Sequence, residues 1–260
     1  MTFDLHTHST YSDGSLMYTM VSAAEQQGLD KIGFADHANV SSRKEMKTQK
    51  YRNGFNLDRT YERRKKAINS FNEETNVKIY NAVEMDYDPR DENEIEDFFN
   101  QKGFDYTLGS VHFLEGVNIH AQDYFAKKSR QQRKKLVKRY FDKLEKLIKS
   151  GLFDVASHPD LFERNPSLRN LAERKDYLRI ADAFKESKTI PEINTGRALK
   201  GLGGVHPTES FLKILVDENI SFTRGTDSHR PDDIQKLNGY MNEKFSELEI
   251  QAEKPAVLND

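Results

Sequence analysis

One pattern recurs along the chain: a short apolar run rich in β-forming residues, followed by a stretch with helical periodicity. The apolar runs, which we predict to be strands, lie at 2–5, 31–35, 77–83, 106–111, 153–156, 189–193 and 220–224. A helix between successive strands returns the chain to the same edge of the sheet, so this alternation favours parallel pairing. Seven such units predict an α/β fold in which the sheet closes into a (β/α)7 barrel of the TIM type.

The helical stretches lie at 15–27, 57–71, 91–101, 123–149, 168–188, 208–217 and 231–244. No change in composition separates the strand–helix units, and the chain is long enough to bury one large core. We therefore predict a single domain over residues 1–260, with 246–260 as a peripheral C-terminal segment.

The chain contains eight histidines and no cysteine. This composition excludes disulfides, a thiolate nucleophile, iron–sulfur clusters and cysteine zinc fingers. A metal ion would have to be held by imidazole nitrogen and carboxylate oxygen, and such an ion is more often catalytic than structural.

The net charge of −2 gives no overall attraction for nucleic acid. The first residues lack the basic and apolar regions of a signal peptide, and no apolar run approaches the ~20 residues of a membrane span. We therefore expect a cytoplasmic protein without membrane segments. The stretch 127–149 holds 11 Lys and Arg residues, but its apolar residues repeat every three or four positions. A surface helix with a solvated basic face is favoured over a ridge that binds nucleic acid.

Histidines and carboxylates follow the carboxyl ends of six of the seven predicted strands. These candidate metal ligands are His6, His8, Asp13, His37, Glu84, His112, His158, Asp227 and His229. His6 and His8 are two positions apart, so both side chains project to one side of an extended chain. In a barrel, the carboxyl ends of all strands meet on one face. Each residue alone could be an ordinary surface or core residue, but together they predict a centre for two or three metal ions.

The segments around these residues resemble the PHP (polymerase and histidinol phosphatase) superfamily of metal-dependent phosphoesterases. The similar segments occur in order at 4–14 (DLHTHSTYSDG), 35–37 (ADH), 83–87 (VEMDY), 109–113 (GSVHF), 157–159 (SHP) and 225–229 (GTDSH). Segments 104–114, 192–197 and 207–210 further resemble monofunctional histidinol-phosphate phosphatases. The resemblance implies that the barrel is the distorted TIM-like barrel of the PHP fold.

The resemblance also implies how the ligands are shared among divalent cations. One cation would take His6, His8, Glu84 and Asp227; a second would share Glu84 and add His112 and His158; a third would use Asp13, His37 and His229. Asp4 and Asp36 would orient imidazoles rather than bind metal. Zinc, manganese and iron all suit such a mixed set of nitrogen and oxygen ligands.

The activity implied by the resemblance is hydrolysis of L-histidinol phosphate to L-histidinol and phosphate in histidine biosynthesis. The candidate nucleophile is a metal-bound hydroxide that bridges the two cations sharing Glu84. His229 is a candidate for protonating the leaving group. Arg197 follows the sixth strand and could bind phosphate through both guanidinium nitrogens, but it could equally form a surface ion pair. Lys200 is a poorer candidate for the same contact.

Other assignments remain open from the sequence. His120 and His206 could contact the small phosphorylated substrate, although ordinary surface histidines are the more common case. A PHP-type phosphoesterase acting on nucleotides or nucleic-acid ends would use the same ligands, and the basic stretch 127–149 favours it weakly. A non-catalytic, metal-binding regulatory module is a third alternative. The sequence predicts no oligomeric state.

Overall fold

The computed structural model describes residues 2–199 and 201–258. Its strands are β1 (Phe3–Thr7), β2 (Lys31–Phe34), β3 (His37–Ala38), β4 (Lys78–Asp86), β5 (Tyr106–Ser110), β6 (Phe113–Leu114), β7 (Val117–Asn118), β8 (Val155–Ala156), β9 (Ile190–Asn194) and β10 (Thr223–Gly225). Its α-helices are α1 (Met17–Gln26), α2 (Met46–Arg52), α3 (Leu57–Glu74), α4 (Glu92–Lys102), α5 (Gln122–Ala126), α6 (Arg130–Lys149), α7 (Arg174–Lys185), α8 (Gly196–Leu199), α9 (Glu209–Asp217) and α10 (Pro231–Glu247). Short 3-10 helices lie at Leu161–Arg164 and Ala256–Leu258.

Seven of the strands form the parallel barrel that the sequence predicts. They pair in the order β1, β2, β4, β5, β8, β9 and β10, and each neighbouring pair is parallel. Beyond the end of β10 the chain returns to β1: His8 N donates to the Ser228 carbonyl over 2.9 Å, and Asp227 N donates to the His6 carbonyl over 2.8 Å. The barrel is therefore nearly closed, and these two hydrogen bonds join its first and last strands at the carboxyl ends.

Alternate residues of the strands fill the barrel with a packed core. The buried cluster contains Phe3, Leu5, Ala35, Tyr80, Ala82, Tyr106, Leu108, Val155 and Leu258. The Tyr106 hydroxyl reaches across the interior and donates to the Leu5 carbonyl over 2.5 Å. A side chain at Gly33 would overlap that hydroxyl, so this position has to be glycine for the core to pack as it does.

Helix α6 shows how the outer layer is attached. Its buried residues are Leu136, Val137, Tyr140, Phe141, Leu144, Leu147 and Ile148. They form one stripe at helical spacing that packs on the barrel, as predicted for the basic stretch. On the outer face Lys134 pairs with Glu173, and Lys149 pairs with Glu145. Within the part of the chain that the structure describes, no helix has the length and apolar character needed to cross a membrane.

Two predicted helices differ from their periodicity, one by an interruption and one by a later start, because side chains cap new helix starts. The predicted helix at 123–149 is two helices, since Ser129 Oγ accepts from Gln132 N while Gln132 Oε1 accepts from Ser129 N. The predicted helix at 168–188 begins only at Arg174, where Glu173 and Asp176 form the same reciprocal arrangement. Helix α2 and the β6–β7 hairpin were not predicted.

Part of the C-terminal segment 246–260, predicted to be peripheral, contacts the barrel within the described residues. Residues 246–247 belong to α10, and Ala252 forms a β-bridge with Phe222. Leu258 is only 8% exposed and packs among the inward-facing strand residues. Ala252 and Leu258 therefore pack against the barrel, and Leu258 covers apolar surface at its core.

Candidate metal centre

The carboxyl ends of the barrel strands bring all nine predicted ligands together. They are His6, His8, Asp13, His37, Glu84, His112, His158, Asp227 and His229, and they fall into four overlapping groups in which one ligand atom of each residue lies within 4.8 Å of the others. Most are buried, whereas the side chains of Asp13 and His229 are 38% and 32% exposed. The centre opens there into a cavity of about 820 Å³.

Glu84 lies in the middle of the cluster. Its Oε1 is 2.7 Å from His158 Nε2, and its Oε2 is 2.8 Å from His37 Nδ1 and 3.3 Å from His6 Nε2. The position follows from strand register, because β3 pairs with β4 so that His37 lies beside Glu84. One carboxylate in contact with histidines from three strands can bridge two cations.

The four ligand groups share more residues than the expected division of the ligands among three cations. His8 belongs both to a group with His6 and Asp227 and to a group with Asp13, His37 and His229. His37 also joins Glu84 and His112. His8 and His37 therefore each lie close to ligands that the resemblance assigns to different cations.

The donor atoms of the cluster fit divalent cations. His8 Nδ1 and His158 Nδ1 are buried and make no hydrogen bond to any described residue, and Glu84 Oε2, although 2.8 Å from His37 Nδ1, lacks the alignment of a hydrogen bond. Leaving such an atom unsatisfied costs about 1–3 kcal/mol. The Nε2 atoms of His6 and His8 lie 3.1 Å apart, close to the ~3.3 Å between two nitrogens bound to one tetrahedral zinc ion. The cluster is therefore suited to metal binding.

Neighbouring groups fix the orientation of three imidazoles. His6 Nδ1 donates to Glu192 Oε1 over 2.8 Å, and His229 Nδ1 donates to the Asp227 carbonyl over 2.9 Å. Ser110 Oγ lies 2.9 Å from His112 Nδ1. With Nδ1 occupied, each of these rings presents Nε2 to the cluster, an arrangement typical of metal-binding histidines.

Electrostatics keep the central carboxylate ionised. Burial by itself would raise the pKa of Glu84, but the surrounding histidines, His37 foremost, hold that pKa well below its usual range. Burial also disfavours charge on His37, yet Glu84 and Asp13 raise its pKa to about 9. Burial, together with His229 and His37, lowers the pKa of His8 to about 4. His8 is therefore neutral at pH 7 and has a lone pair for a cation.

Comparison with known proteins identifies the family. The sequence profile of the PHP domain matches residues 4–196, which is most of the chain. The chain belongs to the PHP domain family. It is 25% identical over 154 residues to a protein of Deinococcus radiodurans named probable histidinol-phosphatase, a match that covers 59% of this chain and 58% of that protein. The match thus spans less than two thirds of the relative.

Two solved structures share the fold of this PHP domain. The histidinol phosphatase candidate HisK of Listeria monocytogenes has a TM-score of 0.79 and 21% identity, with 92% of this chain and all of that chain covered. Histidinol phosphate phosphatase HisK of Lactococcus lactis, solved with zinc, L-histidinol and phosphate, has a TM-score of 0.73 and 21% identity, with coverages of 96% and 95%. Both confirm the distorted TIM-like barrel.

Asp4 and Asp36 of the PHP domain act differently from their expected role, because neither bonds an imidazole. Asp4 accepts from Thr226 N over 3.0 Å and from His6 N over 3.1 Å. Asp36 accepts from Ser9 N and from Ser12 Oγ, both over 2.7 Å. Both carboxylates therefore hold the backbone segments that carry ligands. The carboxylate that does orient an imidazole is Glu192, which sequence reasoning missed.

Arg197 lies apart from the metal centre. Its Nε donates to the Gly203 carbonyl over 3.2 Å, and its Nη1 donates to the Glu163 carbonyl over 3.4 Å. The side chain lines a neighbouring cavity of about 900 Å³ rather than the one above the cluster. In this structure the turn into α8 therefore directs Arg197 away from the cavity above the cluster, and its phosphate contact stays a prediction. Lys200 lies outside the described residues.

Arg164 occupies the place expected of Arg197. It lines the cavity above the cluster, and its Nη2 donates to Asp227 Oδ2 over 2.9 Å. The sequence shows only that Arg164 lies shortly after His158 and the strand now labelled β8; the 3-10 helix Leu161–Arg164 then directs it into the cavity. His120 also lines this cavity. His206 is fully buried and does not line it, so the structure does not bring His206 to the surface where a direct substrate contact was expected.

Proposed function

We propose that this PHP domain is a metal-dependent phosphomonoesterase that hydrolyses L-histidinol phosphate. The observation that carries the proposal is the cluster of nine nitrogen and oxygen ligands, which opens into a cavity lined by an arginine. The named relatives support histidinol phosphate as the substrate. The cytoplasmic location stays a prediction.

The nine residues would hold two or three divalent cations. When bound, such cations neutralise the phosphoryl group and activate water for attack. The overlap of the four ligand groups at His6, His8, His37 and Glu84 supports neighbouring rather than isolated cations. Zinc, manganese and iron all match the donor set, and elemental analysis of the purified protein gives their identity and number per chain.

Arg164 would bind the phosphoryl group of the substrate. Its guanidinium is positively charged, lies beside the proposed ligand Asp227 and faces the cavity. A planar guanidinium suits phosphate oxygens better than an ammonium group does. The side chain is only 8% exposed, so its charge is poorly screened by solvent.

His229 has two possible roles, and its hydrogen bond makes them exclusive. Its Nδ1 proton is donated to the Asp227 carbonyl, so only Nε2 faces Asp13, 3.4 Å away, and the cavity. Nε2 can bind a cation or carry a proton for the leaving group. If Nε2 carries the proton, a His229→Asn enzyme lacks the acid that protonates the leaving group but keeps its metal content. If Nε2 binds a cation, the same enzyme loses metal.

A substrate panel tests the proposed function. The metal-replete protein is assayed with L-histidinol phosphate, nucleoside monophosphates and a short single strand with a terminal phosphate, each before and after exhaustive chelation. We expect preferred hydrolysis of histidinol phosphate that chelation removes and added cations restore. Preference for the nucleotides or the strand would favour the alternative phosphoesterase, and full activity after chelation would refute the metal mechanism. Failure on every substrate despite bound metal would favour a regulatory module.

A further inference from the structure

His206 is a buried histidine without a part in the metal cluster. It lies between α8 and α9 and is 0% exposed. Its backbone is held by two hydrogen bonds with the backbone of Asn194, at the end of β9, each 2.8 Å long. The role of this buried ionisable side chain therefore depends on the hydrogen bonds of its ring.

The imidazole of His206 joins a carboxylate to a guanidinium. Its Nδ1 lies 2.5 Å from Asp160 Oδ1, and its Nε2 accepts from Arg164 Nε over 2.9 Å. A guanidinium can only donate, so Nε2 must be unprotonated and Nδ1 must carry the proton that Asp160 accepts. Burial lowers the pKa of His206 to about 4, which agrees with a neutral ring.

Asp160 is itself fixed. Its Oδ2 accepts from Thr208 N and Thr208 Oγ1, both over 2.7 Å, so both of its oxygens are occupied. Thr208 precedes α9. The orientation of the His206 ring is thus set by a carboxylate that the start of a helix holds in place.

The other end of this chain of contacts is the guanidinium of Arg164. Its Nε is held by His206 and its Nη2 by Asp227, whereas its Nη1 makes no hydrogen bond to the described residues. A side chain at Gly196 would overlap Nη2, so the absence of a Cβ there makes room for the guanidinium. Two of the three nitrogens are fixed, and the third is available to a ligand in the cavity.

We propose that His206 is a positioning residue: with Asp160, it fixes the guanidinium of Arg164 in the orientation that binds the phosphoryl group of the substrate. This inference rests on the proposed phosphatase function. It assigns the geometry of phosphate binding to three residues that lie outside the ligand set, on the segment after β8 and on the loop after α8.

Two substitutions at the same position separate the two hydrogen bonds of the ring. In His206→Gln, the amide oxygen can replace Nε2 as the acceptor for Arg164. In His206→Asn, the shorter amide can keep the contact with Asp160 but leaves Arg164 Nε without an acceptor. The measured quantities are the dissociation constant of inorganic phosphate, by calorimetry on the metal-replete protein, and the metal content per chain.

We expect His206→Asn to weaken phosphate binding about tenfold, while His206→Gln stays within about threefold of the wild type. Metal content should be unchanged in both. In an Arg164→Met background, His206→Asn should have no further effect, because the residue that it positions is gone. With histidinol phosphate as substrate, KM should rise more than kcat falls.

Equal weakening by the two substitutions, a loss of metal content, or a full additional effect of His206→Asn in the Arg164→Met background would overturn the proposal. These outcomes are separate from failure of the proposed function. If the wild type does not hydrolyse histidinol phosphate, the predicted pattern of phosphate affinities would still support the positioning role. If the wild type hydrolyses it but the pattern is absent, only the positioning role fails.

Discussion

Arg64 provides the sharpest test of how the metal centre is supported. It reaches from α3 into the barrel wall and is 0% exposed, as is its partner Asp36. Its guanidinium donates to Asp36 Oδ2, Asn81 Oδ1 and the carbonyls of Phe34 and Ala82. Burial disfavours the Asp36 carboxylate, but Arg64, together with His8 and the hydrogen bonds from Ser9 and Ser12, lowers the pKa of Asp36. We predict that Arg64→Met strongly destabilises the fold.

The magnitude follows from the charge left behind. Removing one partner of a buried ion pair costs about 3–5 kcal/mol, because the other charge stays buried without its counter-charge. A loss of about 4 kcal/mol is a large part of the 5–15 kcal/mol that stabilises a typical domain. With a urea m-value near ~3 kcal/mol/M, the unfolding midpoint should fall by more than about 1 M.

Urea unfolding of the metal-free protein, followed by circular dichroism, measures this shift. Arg63→Met is the matched control, because Arg63 is the exposed neighbour on the same helix and should change stability by less than about 0.5 kcal/mol. Adding Asp36→Asn to Arg64→Met should recover part of the loss. A midpoint shift below about 0.3 M, or strictly additive effects of the two substitutions, would refute the reasoning.

Four further outcomes are expected. Burial and Asp160 raise the pKa of Glu163 from 4.5 to about 7, so the folded protein keeps a proton that the unfolded chain loses. Stability should therefore fall as pH rises from about 5 to 7, and Glu163→Gln should flatten that slope in urea unfolding. Glu84→Gln should lose most of its metal after dialysis and reduce turnover more than about 100-fold; near-normal metal content would contradict its central position. Glu192→Gln should lower metal affinity about 10–100-fold in a chelator competition. A Cβ at Gly225 would overlap Glu192 Oε1, so Gly225→Ala should show the same defect, whereas Gly239→Ala, with open space around it, should not.

The barrel and the ligand cluster could be predicted because both depend on a local pattern. A parallel strand ends where its apolar run ends, and the carboxyl ends of all barrel strands lie on one face. His112 and His158 are far from His6 in sequence, yet their positions after strands were enough to predict that they meet it. Glu84 comes directly after the predicted third strand, although β4 continues to Asp86, and register with His37 on β3 puts it at the centre.

The remaining parts of the site depend on directions that sequence spacing does not give. Arg197 and Arg164 both follow strands, but a turn into α8 directs the first away while a 3-10 helix directs the second into the cavity. Glu192 lies within β9, and its role can be assigned only when the structure shows that its carboxylate contacts His6. The helix start at Arg130 depends on one pair of capping side chains, which periodicity alone does not detect.

The join between β1 and the segment after β10 has a consequence for how the protein unfolds. His6 and His8 lie on one side of this seam, and Asp227 and His229 lie on the other, about 220 residues later in the chain. In the chain-entropy model of a cross-link, joining two residues so far apart in sequence stabilises the folded state by about 5 kcal/mol. A cation bound by residues of both sides would cross-link the first and last strands of the barrel. On chelation, amide hydrogen exchange should therefore accelerate first along this seam, and the fold would depend on the same ions that its chemistry uses.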